Sequence, residues 1–223
     1  MHRSQKNLTG EVQNMKVRHF LFVALVCMMF SQAVQAATIF SDNFNGENGG
    51  TGVLNYAGFS KWTVSNGAVD LIGNGFFDFF PGSGLSVDLD GTMLKAGQFS
   101  SIPIALANNT YMIQFSLGGS HRLQTNTVQV SFGSLYNESF TLAADAPLTV
   151  ITRFITVGGP TSASLTFQNE DGDNIGLILD DVSVSSVPET ASITLLALGL
   201  AGVGVLRMRM RATQTVSALR YQR

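Results

Sequence analysis

The central part of the chain holds one histidine, His121, and no cysteine; the single cysteine, Cys27, lies in an apolar run near the N-terminus. A serine–histidine–acid hydrolase would have to use His121. That residue sits in Gly118-Gly119-Ser120-His121-Arg122, a turn-like segment, and no Gly-x-Ser-x-Gly elbow accompanies it. His121 therefore reads as an exposed loop histidine. Zinc held by histidine and cysteine is ruled out by ligand count. Carboxylates are the remaining chemistry, because two neighbouring acids can cleave a glycosidic bond as general acid and nucleophile. Asp88 with Asp90 share a strand face at i and i+2. They run into Gly91, which predicts a solvated strand end with an Asx turn. Asp180 and Asp181 are neighbours. Alternation places Asp180 with Ile178, Val182 and Val184 on the core face, and Asp181 outside with Leu177 and Leu179. A buried carboxylate needs partners. For Asp180 these are backbone N–H groups at a strand end, or a calcium ion shared with Asp42 or Glu47.

Other patterns carry less. Asp171-Gly172-Asp173-Asn174 resembles a fragment of a calcium loop but lacks the closing glutamate, and reads as a turn. Gly73-x-Gly75 has no third glycine and no helix after it, so it is not a dinucleotide site. Phe76-Phe77-Asp78-Phe79-Phe80 places four aromatics in five positions. Alternation puts Phe77 and Phe79 on one face, the candidate platform for stacking a sugar or contacting a protein. Trp62 suits sugar stacking by type, but Val64 at i+2 places it in the core.

The elements that must position these residues are strands. Segments 111–117, 127–132, 139–142, 149–157, 163–167 and 177–184 are rich in β-branched and aromatic residues, several with period two, and Gly-Gly, Asn-Gly, Asp-Gly and Asn-Asn pairs separate them. In the first half, 41–46, 59–64, 68–75 and 86–92 read as strands joined by polar turns. The predicted fold class is all-β, an antiparallel β-sandwich over residues 37–186.

Charge is distributed unevenly. Between Ala37 and Val187 thirteen acidic residues face only Lys61, Lys95, Arg122 and Arg153, a net of −9, although the whole chain is near neutral at −2. An acidic middle excludes nucleic acid as a partner. The other basic residues lie at the two ends, beside apolar runs. Lys16 and Arg18, an 11-residue apolar stretch over 20–30, and a small-x-small site before Ala36 and Ala37 form a signal peptide within residues 1–36, with Met15 as an alternative start. At the other end, 191–206 is a 16-residue uncharged run followed by Arg207, Arg209 and Arg211. This reads as one transmembrane helix with its arginines and the basic tail 212–223 in the cytoplasm, which leaves the acidic domain outside.

Two resemblances follow from these residues. Phe40-Ser41-Asp42-Asn43-Phe44, the Trp62 segment, 69–75, 87–91 and Leu179-Asp180-Asp181-Val182-Ser183-Val184 resemble exported bacterial jelly-roll domains of the galactose-binding-like, carbohydrate-binding-module type. That resemblance implies polysaccharide binding and a structural calcium between first and last strands, with Asp42, Glu47 and Asp180 as candidate ligands. Val187-Pro188-Glu189-Thr190, the apolar run and the arginine cluster together resemble the PEP-CTERM sorting signal over 187–211, with Thr190 where the motif has a second proline. It implies a Gram-negative host, Sec translocase, signal peptidase and exosortase as partners, an inner-membrane-anchored precursor, and final residence at the cell surface or in an exopolysaccharide or biofilm matrix. The expectation is a non-catalytic structural or carbohydrate-binding protein. The alternatives are a secreted glycan-active enzyme and a self-assembling surface-layer subunit.

Overall fold

Tyr111, Ile113, Phe115 and Leu117 are buried in the core and alternate with Met112, Gln114, Ser116 and Gly118 on the opposite side of one strand. The same period repeats across the chain and stacks it into two layers. A computed structural model of the protein describes residues 36–188, together with Gly199 and Gly204. The expected signal peptide up to Gln35, Glu189, Thr190, the predicted span at 191–206 apart from Gly199 and Gly204, Arg207, Arg209, Arg211 and the 212–223 tail lie outside the described residues. Among the described residues no helix is long and apolar enough to cross a membrane.

Residues Ala36–Val187 form one compact unit, an all-β antiparallel sandwich. Its strands are β1 (Thr38–Asp42), β2 (Trp62–Ser65), β3 (Asp70–Gly73), β4 (Leu85–Asp88), β5 (Gln98–Ser101), β6 (Ile104–Leu106), β7 (Asn109–Gly118), β8 (Asn126–Phe132), β9 (Tyr136–Leu142), β10 (Thr149–Val157), β11 (Thr161–Ala163), β12 (Leu165–Asn169) and β13 (Ile178–Ser186). The first sheet has the order β10-β7-β13-β4-β3, with β1 also pairing β13; the second runs β2-β5-β12-β8-β9, and β6 and β11 form a short ribbon. β13 gives one side to β7 and divides the other between β4 and β1. The first and last strands are thereby joined. Ser186 N–H donates to the Ala37 carbonyl at 2.8 Å, and Val187 N–H to the Thr110 carbonyl at 2.8 Å.

The core between the layers sets Leu85, Val87, Ile113, Phe115, Leu179 and Val184 against Trp62, Phe99, Val130, Phe132, Leu165 and Phe167. Trp62 lies at its centre. It stacks on Phe99 with centroids 4.5 Å apart and planes at 9°, and touches Phe40, Phe44 and Phe167. Its indole N–H donates to Asp42 Oδ2 at 3.0 Å. Trp62 is a core residue, as its spacing from Val64 predicts.

Two sequence expectations are corrected. The ladder between β13 and β7 shifts register between Asp180 and Ser183, and Asp181 takes φ 49°. This bulge inserts an extra residue and flips the alternation. Leu177 and Leu179 therefore share the core with Val182 and Val184, while Ile178 and Asp180 lie on the other face of the sheet. Phe76–Phe80 is not a strand: it belongs to a looped segment, and Phe77 has φ 47°. The alternating-face assignment of Phe77 and Phe79 fails with it. Strands β5, β6 and β11 carry no such signal in sequence, being three or four residues long.

Candidate functional site

The face of the first sheet turned away from the core should be wet, yet part of it is dry. Asp70 on β3 pairs across from Asp88 on β4, Asp88 from Ile178 on β13, and Ile178 from Gly118 on β7. Asp70, Asp88 and Ile178 are all buried. Loops cover this row. Phe80 packs so closely over Gly118 that a Cβ there would meet its Cζ at 2.5 Å. Arg122, from the loop after β7, reaches across to Asp88.

Each carboxylate in the row is held by several donors, as burial of a charge demands. Asp70 Oδ1 accepts from the backbone N–H of Asn55 (2.6 Å) and Thr92 (3.2 Å), and Oδ2 from the Thr92 hydroxyl at 2.6 Å. Asp88 Oδ1 accepts from the N–H groups of Asp90 and Gly176, each at 3.1 Å, and Oδ2 pairs with the Arg122 guanidinium. Asp90 Oδ2 accepts from the N–H groups of Asp173 (2.9 Å) and Asn174 (3.0 Å). The Asx turn expected at Asp88 is present. The solvated strand end is not, since Asp88 and Asp90 are buried under segments distant in sequence. Both oxygens of Asp70 and Asp88 are engaged by these donors, whereas Asp90 Oδ1 is buried without a hydrogen-bond partner among the described residues.

Burial pushes the Asp88 carboxyl up to about 7, against the lowering effect of Arg122. It also raises Asp90. Asp180 goes to about 7 by burial, aided by the charges of Asp181 and Asp42. The unfolded chain titrates these groups near 3.8. Between about 4 and about 7 the folded form therefore holds protons that the unfolded form releases, and stability falls as pH rises through that window. Urea unfolding should show a more stable domain at pH 5 than at pH 8, each group contributing at most about 1.4 kcal/mol per pH unit. Asp88→Asn should flatten the profile. Glu138 does not interfere there, since its bonds to Arg153 hold it down to about 2.

Above the row opens a recess of about 110 Å³ lined by Leu54, Asp70, Ile72, Phe77, Phe79, Asp88, Thr92, Arg122 and Asn174. Phe77 is 55% exposed. The Arg122 guanidinium lies 5.4 Å from the Phe79 ring centroid, and its Nη1 donates to the Asn174 carbonyl at 2.5 Å. The structure thus brings Phe77 and Phe79 to one recess by a loop rather than by a strand. Neither Asp70 nor Arg122 is marked by a motif in the sequence. The available signal was that Arg122 is one of only four basic residues in an acidic stretch. His121 is exposed beside this recess, 5.1 Å from Phe80 ring to ring.

Asp42 lies near enough to Asp180 for its charge to raise that carboxyl, while Glu47 faces a different loop. Asp42 accepts from Phe44 N–H and from Trp62. Glu47 is turned to the 56–60 loop, accepting from the Ser60 hydroxyl at 2.6 Å and its N–H at 3.0 Å. Asp180 accepts from Asp181 N–H at 2.7 Å. Among the described residues no group of three or more histidine, cysteine or acidic side chains is placed to hold a metal. The open cleft at Asp42 and Asp181, about 460 Å³, also receives Lys61, whose ammonium donates to the Ser41 carbonyl at 2.6 Å.

No protein-family model matches the chain, and no curated protein matches it. Solved structures with a similar arrangement exist. The CBM22-1 xylan-binding domain of Paenibacillus barcinonensis Xyn10C is 11% identical, with a TM-score of 0.46, over 71% of this chain and 99% of that one. A cleaved adhesin domain of Lys-gingipain from Porphyromonas gingivalis is 12% identical, with a TM-score of 0.46, over 67% and 98%. A carbohydrate-binding module of Cellvibrio mixtus lichenase 5A, solved with cellotriose, is 12% identical, with a TM-score of 0.36, over 62% and 98%.

Proposed function

We propose that the protein is an exported, non-catalytic carbohydrate-binding domain of jelly-roll, galactose-binding-like type, in which the recess at Phe77 and Phe79 receives a sugar ring. The observation that carries this is the combination in one recess of two phenyl walls, a partly exposed guanidinium, an asparagine and two fixed carboxylates. Apolar walls with a few convergent polar groups suit a small polyhydroxylated ligand. The phenyl faces stack on C–H groups, while Arg122 and Asn174 meet hydroxyls, and the buried acids hold Arg122 and the loops in place. The glycan-active alternative is disfavoured because Asp70 and Asp88 are already bonded.

The sequence at the two ends supports the rest of the proposal. A Sec-dependent signal is cut by signal peptidase between Ala36 and Ala37. Exosortase then acts near Pro188-Glu189 after the 191–206 segment has spanned the inner membrane, and releases the domain to a surface or polysaccharide matrix. Mass spectrometry of the mature protein tests this step, and an intact Arg223 on every molecule would overturn it.

For the recess, a glycan array followed by calorimetry on the best ligand is the direct experiment. Phe77→Ala should weaken binding about tenfold, or about 1.4 kcal/mol, with little change in melting temperature because Phe77 is exposed. Unchanged affinity would remove the recess from the proposal, and release of reducing sugar would make the protein an enzyme.

A further inference from the structure

β10 is the end strand of the first sheet, paired along its whole length with β7 and, among the described residues, with no other strand. An open strand edge presents unpaired N–H and C=O groups and is usually guarded by shortness, proline, bulges or charge. The edge strands β2 and β3 have four residues each, and β9 carries Glu138. β10 is neither short nor interrupted by proline or a bulge, and it carries one charge. It runs nine residues, Thr-Val-Ile-Thr-Arg-Phe-Ile-Thr-Val, with an unbroken register. That charge, Arg153, lies on the core side of the strand and is paired with Glu138 at the surface, the two side chains being 37% and 36% exposed. Arg153 Nε donates to Glu138 at 2.6 Å, and its guanidinium lies 5.3 Å from the Phe140 centroid. Val150 (58% exposed) and Phe154 (64% exposed) stand on the side facing away from the core.

We propose that β10 is the docking edge for a second copy of this chain, joined antiparallel about a two-fold axis through Thr152. The strand is self-complementary in that register. Thr152 meets Thr152, and Val150 meets Phe154 twice, so the two exposed apolar side chains cover each other across the seam. Ile151 meets Arg153, whose charge Glu138 already neutralises, so no like charges oppose. Shifting the axis one residue, to Arg153, would put two arginines opposite each other and leave both apolar side chains facing threonines, a poorer match. An isologous pair of this kind closes on itself and makes one continuous sheet from two sandwiches. This inference is independent of the sugar-binding proposal.

The test uses the full chain in mild detergent with Cys27→Ser, so that an introduced cysteine is the only thiol. Directly opposed side chains on antiparallel strands are close enough to be bridged. Thr152→Cys should give a disulfide-linked dimer on gentle oxidation, and Thr156→Cys, four residues along the same face, should not. Sedimentation should give twice the monomer mass for the parent chain. Val150→Lys with Phe154→Lys should return it to monomer mass with the circular dichroism spectrum unchanged. Equal cross-linking at 152 and 156, a dimer that survives both lysines, or a monomer throughout the concentration series would each overturn the proposal.

Discussion

Arg122→Met is expected to destabilise the domain by about 3 kcal/mol at pH 8, the lower end of the cost of breaking a buried ion pair, and by up to about 1.4 kcal/mol less at pH 5. The side chain of Asp88 is 3% exposed and that of Arg122 27% exposed. Removing the guanidinium leaves a carboxylate in a dry site, with only the Asp90 and Gly176 N–H groups to hold it. With the guanidinium gone the Asp88 carboxyl rises further and takes up a proton even near pH 8, so the pH-dependent part of the loss is at most about 1.4 kcal/mol. At pH 5 Asp88, already pushed up to about 7 with arginine present, is protonated in both proteins and that part of the loss is absent. What persists at both pH values is the loss of contact with Phe79 and of the bond to the Asn174 carbonyl. Urea unfolding at the two pH values measures the difference. An equal loss at both would mean that Arg122 contributes by packing alone.

Trp62→Ala is the larger lesion, at about 4 kcal/mol. The indole is 3% exposed and touches four phenylalanine rings drawn from both sheets and from the segment around β1. Its loss opens a cavity where the two layers meet and also leaves Asp42 Oδ2 without its donor. Against a typical total of 5–15 kcal/mol, that loss removes a large share of the stability. Trp62→Phe should cost about half as much, keeping the ring on Phe99 but not the hydrogen bond. Denaturant midpoints rank the three proteins. A Trp62→Ala protein that melts normally but no longer binds glycan would give this side chain the ligand role that its position denies.

Strands β7 and β8 are legible because each alternates over at least seven residues, while β10 and β13 show through their β-branched and aromatic content and only the end of β9, 139–142, carries a signal. One buried face then leaves a period-two record, and the core positions of β7 and β8 follow from it. Residue by residue the reading failed in two ways. A single bulge at Asp180–Asp181 moved Leu177 and Leu179 inside, and nothing in the residue types marks where a ladder slips. Asp88 and Asp90 were read as wet because alternation reports only which side of a sheet a residue takes. What covers that side comes from segments 30 to 90 positions away, around Arg122 and Asp173–Gly176. The candidate recess was half visible, through its phenylalanines. The arginine and the acid beneath them belong to it only by tertiary contact.

The pairing of the first strand with the last also has a mechanical consequence. Ala37 is hydrogen-bonded to Ser186, and from there β1 and β13 run side by side in opposite directions. A tension applied between the two ends of the domain therefore loads one backbone bond at a time, starting with this one, as in opening a zipper. The sandwich should yield to such a pull at low force, shedding β1 and exposing the Phe40–Trp62 contact first. Two handles placed within the second sheet would meet far greater resistance.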